Sequence, residues 1–430
     1  MHDREILRLA IPALGALVAE PIYVLTDTAI VGHIGTNELA GLAIAAAILL
    51  TVHALLIFLA YGTTGLVGRQ LGAGDQLGAV VHGVQALWLA VIVGVSVSVA
   101  IAVGAEPLVD LFRPVAEVRA AALTYLRISL FGLPSLLVVL AGTGYLRGLQ
   151  DTRTPLLVAL GSALMNLVVE LVFVYAFDFG LAGSAWSTVM AQAAASAVYL
   201  VVITRSAKNF GASLRPDPAA LRVYAGVGLR LMVRTAALRG SLLLAANLAG
   251  RLGTANLAAH QVSMEVWGLL ALALDAVAIA GQALVARLLG AGDHDTARDA
   301  SRRMIELSVM VGIFFGFLVL AVRPWLPLVF TADESVRDLT AFLLLFVALM
   351  QPLNGLVFAV DGILIGANDL TFLAKAMAGA FVLFVALATA VTALGLGLGW
   401  LWAAIVVFMA GRAIPLWRRF TTGTWLTSTS

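Results

Sequence analysis

The sequence contains no cysteine. Disulfides, thiolate metal sites and cysteine nucleophiles are therefore excluded, while compartment is left open. Charge is scarce as well: Asp, Glu, Lys and Arg make up 12% of the 430 residues, about half the share found in a soluble domain. Neither sign is in real excess, with 26 basic against 24 acidic residues, which speaks against a nucleic-acid partner. Six histidines are scattered without metal-ligand spacing, and no His-Glu-x-x-His or cofactor motif occurs. No nucleophile elbow or paired catalytic motif supports an intramembrane enzyme. Long polar segments are missing too, the longest running from Arg205 to Arg222. The first residues, Met1-His2-Asp3-Arg4-Glu5, are too acidic to open a signal peptide, so the first apolar segment is expected to be kept as a helix.

What is abundant is apolar surface. Residues of that kind make up 61% of the chain, and mean hydropathy is +1.02. No soluble fold hides so much, and the length allows about a dozen spans of roughly 20 residues each. Twelve apolar stretches run near 8–33, 42–66, 82–105, 118–141, 155–177, 181–203, 225–248, 257–286, 303–322, 338–362, 371–394 and 398–418. With twelve spans both termini share a side. Most basic residues fall on that side, among them Arg69, Arg147, Arg153, Arg287, Arg303 and Arg412, whereas only Arg113, Arg119, Arg251, Arg323 and Arg337 fall opposite. The positive-inside rule then predicts cytoplasmic termini. Trp186, Trp325, Trp400, Trp402 and Trp417 lie near span ends, where interfacial anchors are expected.

The chain repeats itself at an offset of 218. Val67-Gly68-Arg69-Gln70-Leu71-Gly72-Ala73-Gly74-Asp75 returns as Val285-Ala286-Arg287-Leu288-Leu289-Gly290-Ala291-Gly292-Asp293. Gly144-x-Leu146-x-Gly148-x-x-Asp151 returns as Gly362-x-Leu364-x-Gly366-x-x-Asp369. Gly35-Thr36, Val118-Arg119 and Pro134 return as Gly253-Thr254, Val336-Arg337 and Pro352. Each repeat holds an even number of spans, so the halves keep one orientation. The expected architecture is an all-α polytopic membrane protein of twelve transmembrane helices. They form two six-helix lobes related by a pseudo-two-fold along the membrane normal: an N-terminal lobe over 1–204, a cytoplasmic linker over 205–222 and a C-terminal lobe over 223–430. In Leu-Gly-Ala-Gly-Asp the glycines are expected to end one helix and the Asp to cap the next, so the repeated motifs read as loop architecture. Two parallel six-helix halves suit a cleft that faces each side in turn, which points to a transporter.

Ionisable residues inside spans are costly and mark functional sites by default. Asp27 falls in span 1 and Glu170 in span 5, with Asn166 one turn before Glu170 on the same face. Thr188 in span 6 and Tyr125 in span 4 complete a candidate site of the first half. A carboxyl pair in a low-dielectric lobe can take up a proton near neutral pH. The same oxygens also suit Na⁺, a hard cation, and a purely structural role is the third reading. Glu20 and Arg127 either pair with each other or leave Glu20 free to join Tyr125, Arg234, Glu265, Asp275 and Asp361 as polar contacts for a substrate or within the lobes. In the second half Arg234 or Arg239 is expected to neutralise Glu265, Asp275 or Asp361, while His260 reads as a packing or capping residue. Pro12 can kink span 1 on the cytoplasmic side of Asp27.

Over its full length the chain resembles the multidrug and toxic compound extrusion (MATE) transporters. The resemblance rests on Ile11-Pro12, Val24-Leu25-Thr26-Asp27-Thr28-Ala29-Ile30-Val31-Gly32, Leu71-Gly72-Ala73-Gly74-Asp75, Gly144 to Pro155 and Ala258-Ala259-His260-Gln261. It is most similar to the prokaryotic DinF-like branch. The resemblance implies an antiporter of the plasma (inner) membrane that exports organic, mainly cationic and amphipathic compounds in exchange for H⁺ or Na⁺. It further implies a coupling site in the first lobe, with Asp27, Asn166 and Thr188 at matching positions, Tyr125 less closely matched, and helix bending at Pro12. Glu170 stands where the family usually has Asp, which changes the geometry open to a cation and favours H⁺. A lipid-linked precursor flippase, which needs a strongly cationic cavity, fits the acidic first lobe poorly. No cofactor is implied, and a monomer is expected.

Overall fold

The computed structural model describes residues 2–427. Fifteen α-helices follow one another among these residues: α1 (Asp3–Gly32), α2 (Thr36–Leu56), α3 (Phe58–Gly72), α4 (Gln76–Asp110), α5 (Ala116–Ser129), α6 (Leu133–Gly148), α7 (Arg153–Leu171), α8 (Gly180–Phe210), α9 (Pro218–Arg251), α10 (Thr254–Gly290), α11 (His294–Val322), α12 (Leu326–Phe330), α13 (Glu334–Gly366), α14 (Leu370–Ala393) and α15 (Leu398–Thr422). Among the described residues eleven spans are long and apolar enough to cross a bilayer, with α2 and α3 counted as one, and α5 with α6, bent by 50°, make a twelfth when the pair is taken as one span. The stretch at 118–141 is thus not one straight span. Proline does not explain the contrast with the other half, since both halves carry it: Pro134 lies at the start of α6, whereas its counterpart Pro352 lies inside an unbroken α13.

The repeated glycines have two distinct uses. In the Leu-Gly-Ala-Gly-Asp loops, Gly74 and Gly292 adopt φ of +76° and +72°, a region open to glycine without steric cost. Asp75 Oδ1 then accepts from the Gly78 amide at 2.7 Å, and Asp293 Oδ1 from the Thr296 amide at 3.0 Å, so each caps the following helix. The second motif differs from its expected loop role. Gly144, Gly148, Gly362 and Gly366 lie inside helices. A Cβ on Gly144 would stand 2.5 Å from the Ala60 carbonyl oxygen, and one on Gly362 would stand 2.4 Å from that of Ala278. These glycines let α6 close on α3 and α13 close on α10, the small-residue packing typical of membrane helices.

Contacts divide the chain into two compact units, Gly15–Gly228, and Met1–Leu14 with Leu229–Ser430. Packing therefore cuts the chain differently from the repeat. The first turns of α1 go with the second-half helices, and the first turns of α9 with the first-half helices. The segment at 205–222 is tied down rather than loose. Gln85 on α4 donates to the Arg215 carbonyl at 3.0 Å and accepts from the Asp217 amide at 2.8 Å, while the Trp88 indole donates to the Leu214 carbonyl at 2.8 Å. One expected interfacial anchor is instead a core residue: Trp402 is fully buried against Phe346 and the edge of His260. Arg412, counted above with the basic residues on the side of the termini, is likewise buried inside α15.

Candidate functional site

Within the unit Gly15–Gly228, four helices bring polar side chains together. α1 supplies Tyr23 and Asp27, which share a face one turn apart. α5 supplies Tyr125, α7 supplies Asn166 and Glu170, and α8 supplies Ser184, Ser187 and Thr188. All but the half-buried Tyr23 are buried. The hydroxyl of Ser184 donates to Asp27 Oδ1 at 2.5 Å, and the phenol of Tyr125 reaches Oδ2 at 3.5 Å. Asn166 Nδ2 donates to Ser187 Oγ at 3.1 Å and to Thr188 Oγ1 at 3.3 Å. The Thr188 hydroxyl also pairs with the Tyr23 phenol at 2.7 Å. Ser187 in turn donates to the Ser184 carbonyl at 2.7 Å, which holds the α8 side of the cluster in place.

Glu170 is fully buried beside Asp27 and Ser184. Neither of its carboxyl oxygens closes a hydrogen bond of good geometry. Among the described residues, neither Asp27 nor Glu170 forms an ion pair with a basic side chain. Two carboxylates this close would repel each other, so the arrangement is chemically able to accommodate a proton or a cation beside them. Directly after Glu170 the helix widens into a π-helical turn at Val172–Ala176, a local distortion frequent at functional sites.

Asp27, Glu170, Asn166, Thr188 and Tyr125 are thus brought together, whereas Glu20 is not. Glu20 is half exposed and 3.9 Å from His53. Its expected partner Arg127 pairs with Glu106 at 2.9 Å instead. Tyr23, Ser184 and Ser187 were missed. Ser184, Ser187 and Thr188 follow the i, i+3, i+4 spacing of one helix face, a pattern present in the sequence and able to reveal them. Pro12 lies within an uninterrupted α1, two residues before its passage from one contact unit to the other.

The second half has a different arrangement. Asp361 on α13 is held by Arg234 of α9 and lies 3.5 Å from Arg412 Nη2 of α15. Asp275 on α10 is half-buried and attracts Arg412. Glu265 is outside this cluster, exposed and bonded to Gln261 at 2.9 Å, and Arg239 is exposed. The first-half acid site has no counterpart here, because the positions matching Asp27, Asn166 and Glu170 are Ala245, Phe384 and Ala388, all buried.

A family model described as MatE matches residues 12–172 and again residues 231–391. The two matches follow the internal duplication, and together they cover most of the chain. The chain belongs to the MATE family of multidrug efflux transporters. Among its relatives, Protein DETOXIFICATION 44, chloroplastic, of Arabidopsis thaliana is 31% identical over 98% of this chain and 83% of that protein. DNA damage-inducible protein F (DinF) of Escherichia coli strain K12 is 28% identical over 99% of this chain and 95% of its own length. The crystal structure of MATE in complex with MaD3S superposes with a TM-score of 0.90 at 20% identity, over 100% of this chain and 97% of that one. That likeness establishes the fold, an all-helical membrane bundle.

Proposed function

We propose that this chain is a secondary antiporter of the cytoplasmic membrane that exports organic, mainly cationic and amphipathic compounds in exchange for H⁺, with both termini in the cytoplasm. The observation that carries this reading is the buried pair Asp27 and Glu170, which no basic side chain among the described residues neutralises. A proton taken up by the pair removes the repulsion between two carboxylates in a low-dielectric setting. Asp27 is on α1 and Glu170 on α7, so loading and unloading the pair changes the force between two helices. Ser184 and Tyr125 orient the Asp27 carboxyl, and Asn166, Thr188 and Tyr23 form the polar wall beside it. Protonation from outside neutralises the pair, rearranges α1 and expels the bound compound, and deprotonation toward the cytoplasm resets the site.

Na⁺ coupling is the second reading, favoured by the hydroxyl and amide oxygens of Thr188, Ser187 and Asn166 beside the acid pair. The test is reconstitution in liposomes with a fluorescent organic cation, with pH and Na⁺ gradients imposed separately on wild type and Asp27→Asn. Export driven by the pH gradient alone and lost in Asp27→Asn supports H⁺ exchange. Export driven only by Na⁺ replaces it with the second reading, and full export by Asp27→Asn removes the acid pair from the mechanism.

A further inference from the structure

Two helices, α1 and α9, begin in one contact unit and continue into the other. They occupy equivalent places in the two repeats, and both starts are strapped down by the equivalent residue. Gln85 on α4 holds the start of α9, and its counterpart at the repeat offset of 218 is Arg303 on α11, which holds the start of α1. The chemistry of the two straps is opposite. Arg303 grips Asp3 through two bonds, at 2.6 and 2.8 Å, and is itself braced by Glu306 at 2.8 Å. Arg287 adds a bond to Glu5 at 2.6 Å. All four main partners are part exposed, with side-chain exposures of 38% and 45% for Arg303 and Asp3, and 33% and 38% for Arg287 and Glu5. The α9 strap is neutral and buried instead. Gln85 spends its amide on the 215–217 backbone, and the buried Tyr224 donates to the His82 carbonyl at 2.8 Å.

Both starts bury apolar side chains, Ile6 and Leu9 on α1 and Val227 on α9, so the straps differ in what it costs to break their polar holds. Half-exposed ion pairs exchange partners with water at little cost. Opening the other strap orphans a buried amide and a buried phenol, at the full desolvation penalty. α1 is also the helix that carries Asp27 and Tyr23 into the acid site. We propose that Asp3, Glu5, Arg287 and Arg303 form an ionic latch on the first turns of α1, which opens and closes as the protein alternates between conformations while the start of α9 stays fixed. The latch rests on the antiporter reading only for its purpose, since its opening is a property of the protein without any gradient.

The chain has no cysteine, so spin-label pairs can be introduced without background. Labels at Arg4→Cys and Arg302→Cys, both exposed, report the latch. Labels at Val81→Cys and Ala219→Cys report the α9 strap. Distances are read by pulsed electron spin resonance in liposomes with no gradient, with and without the fluorescent cation. The first pair is expected to give two distances whose proportions change with the cation. The longer should gain roughly threefold to tenfold in Asp3→Asn/Glu5→Gln, as expected for the loss of two part-exposed ion pairs. Raised ionic strength should act in the same direction by screening. The second pair should give one distance throughout. A single, unchanging α1 distance in the neutralised variant, or equal changes at both pairs, overturns the latch. Latch movement in a protein that exports nothing under either gradient would retain the latch and sink the antiporter reading.

Discussion

Replacing Gly362 by alanine should push α10 and α13 apart. A Cβ there would stand 2.4 Å from the Ala278 carbonyl oxygen, 2.8 Å from its Cα and 2.9 Å from its carbonyl carbon. All three are backbone atoms of a long helix, so no side chain can rotate away, and the helices must separate by about half an ångström or more to restore ordinary contact. One turn on, Gly366 approaches Gln282 in the same manner, its Cβ position lying 2.5 Å from the carbonyl oxygen. The separation would loosen that crossing too. Overpacking of this kind costs about 1–3 kcal/mol, from which the better helix propensity of alanine recovers about 1 kcal/mol at most. Gly379→Ala in α14 is the matched control, because nothing lies within 4 Å of its Cβ position. It should leave stability unchanged or raise it slightly. The assay is thermal unfolding in detergent followed by tryptophan fluorescence, with Gly144→Ala as the equivalent change on the α3–α6 crossing. A Gly362→Ala protein as stable as the Gly379→Ala protein would refute the close-packing explanation of the repeated glycines.

Ser184→Ala removes the short hydrogen bond to Asp27. A bond to a charged group contributes about 1.5–3 kcal/mol, so export should slow by about tenfold or more, while Ser184→Thr keeps the donor and should retain most activity. In the second half, Asp361→Asn leaves Arg234 and Arg412 facing each other without their anion, and should destabilise the protein by about 3–5 kcal/mol in the same melting assay. Arg412→Met should cost much less, because Asp361 keeps Arg234. Asp333 caps α13 outside the spans by accepting from the Ser335 hydroxyl and from the Val336 and Ser335 amides, and these bonds, the hydroxyl's first, hold its carboxyl below its ordinary value of 3.8. Its contribution is therefore present above pH 3.8 and lost as pH falls through the lowered value. Hydrogen exchange at Ser335 and Val336 should accelerate in that acid range in wild type, and be fast at every pH in Asp333→Ala.

Much of this protein could be read directly from its residues. Span number, the duplication and the helix-ending loops depend on local properties: hydropathy over roughly 20 residues, the freedom of Gly74 and Gly292, and the capping reach of Asp75 and Asp293. Asp27 and Glu170 were visible because a carboxyl in an apolar span is rare whatever surrounds it. Partner choice was not visible. Glu20 and Arg127 had opposite charge and plausible depth, yet the fold gives them to His53 and Glu106. Arg412 counted only as a basic residue on the side of the termini until α15 carried it into the core beside Asp361. The division of the chain was equally hidden, since the 218-residue repeat says nothing of which helices begin in the other unit. The reason is the same in each case. Hydropathy, turns and caps are settled by neighbours in the chain and by the bilayer. Ion pairs and helix crossings depend on which of many chemically equivalent groups are brought within a few ångströms by residues more than a hundred positions away, and only the folded chain decides that.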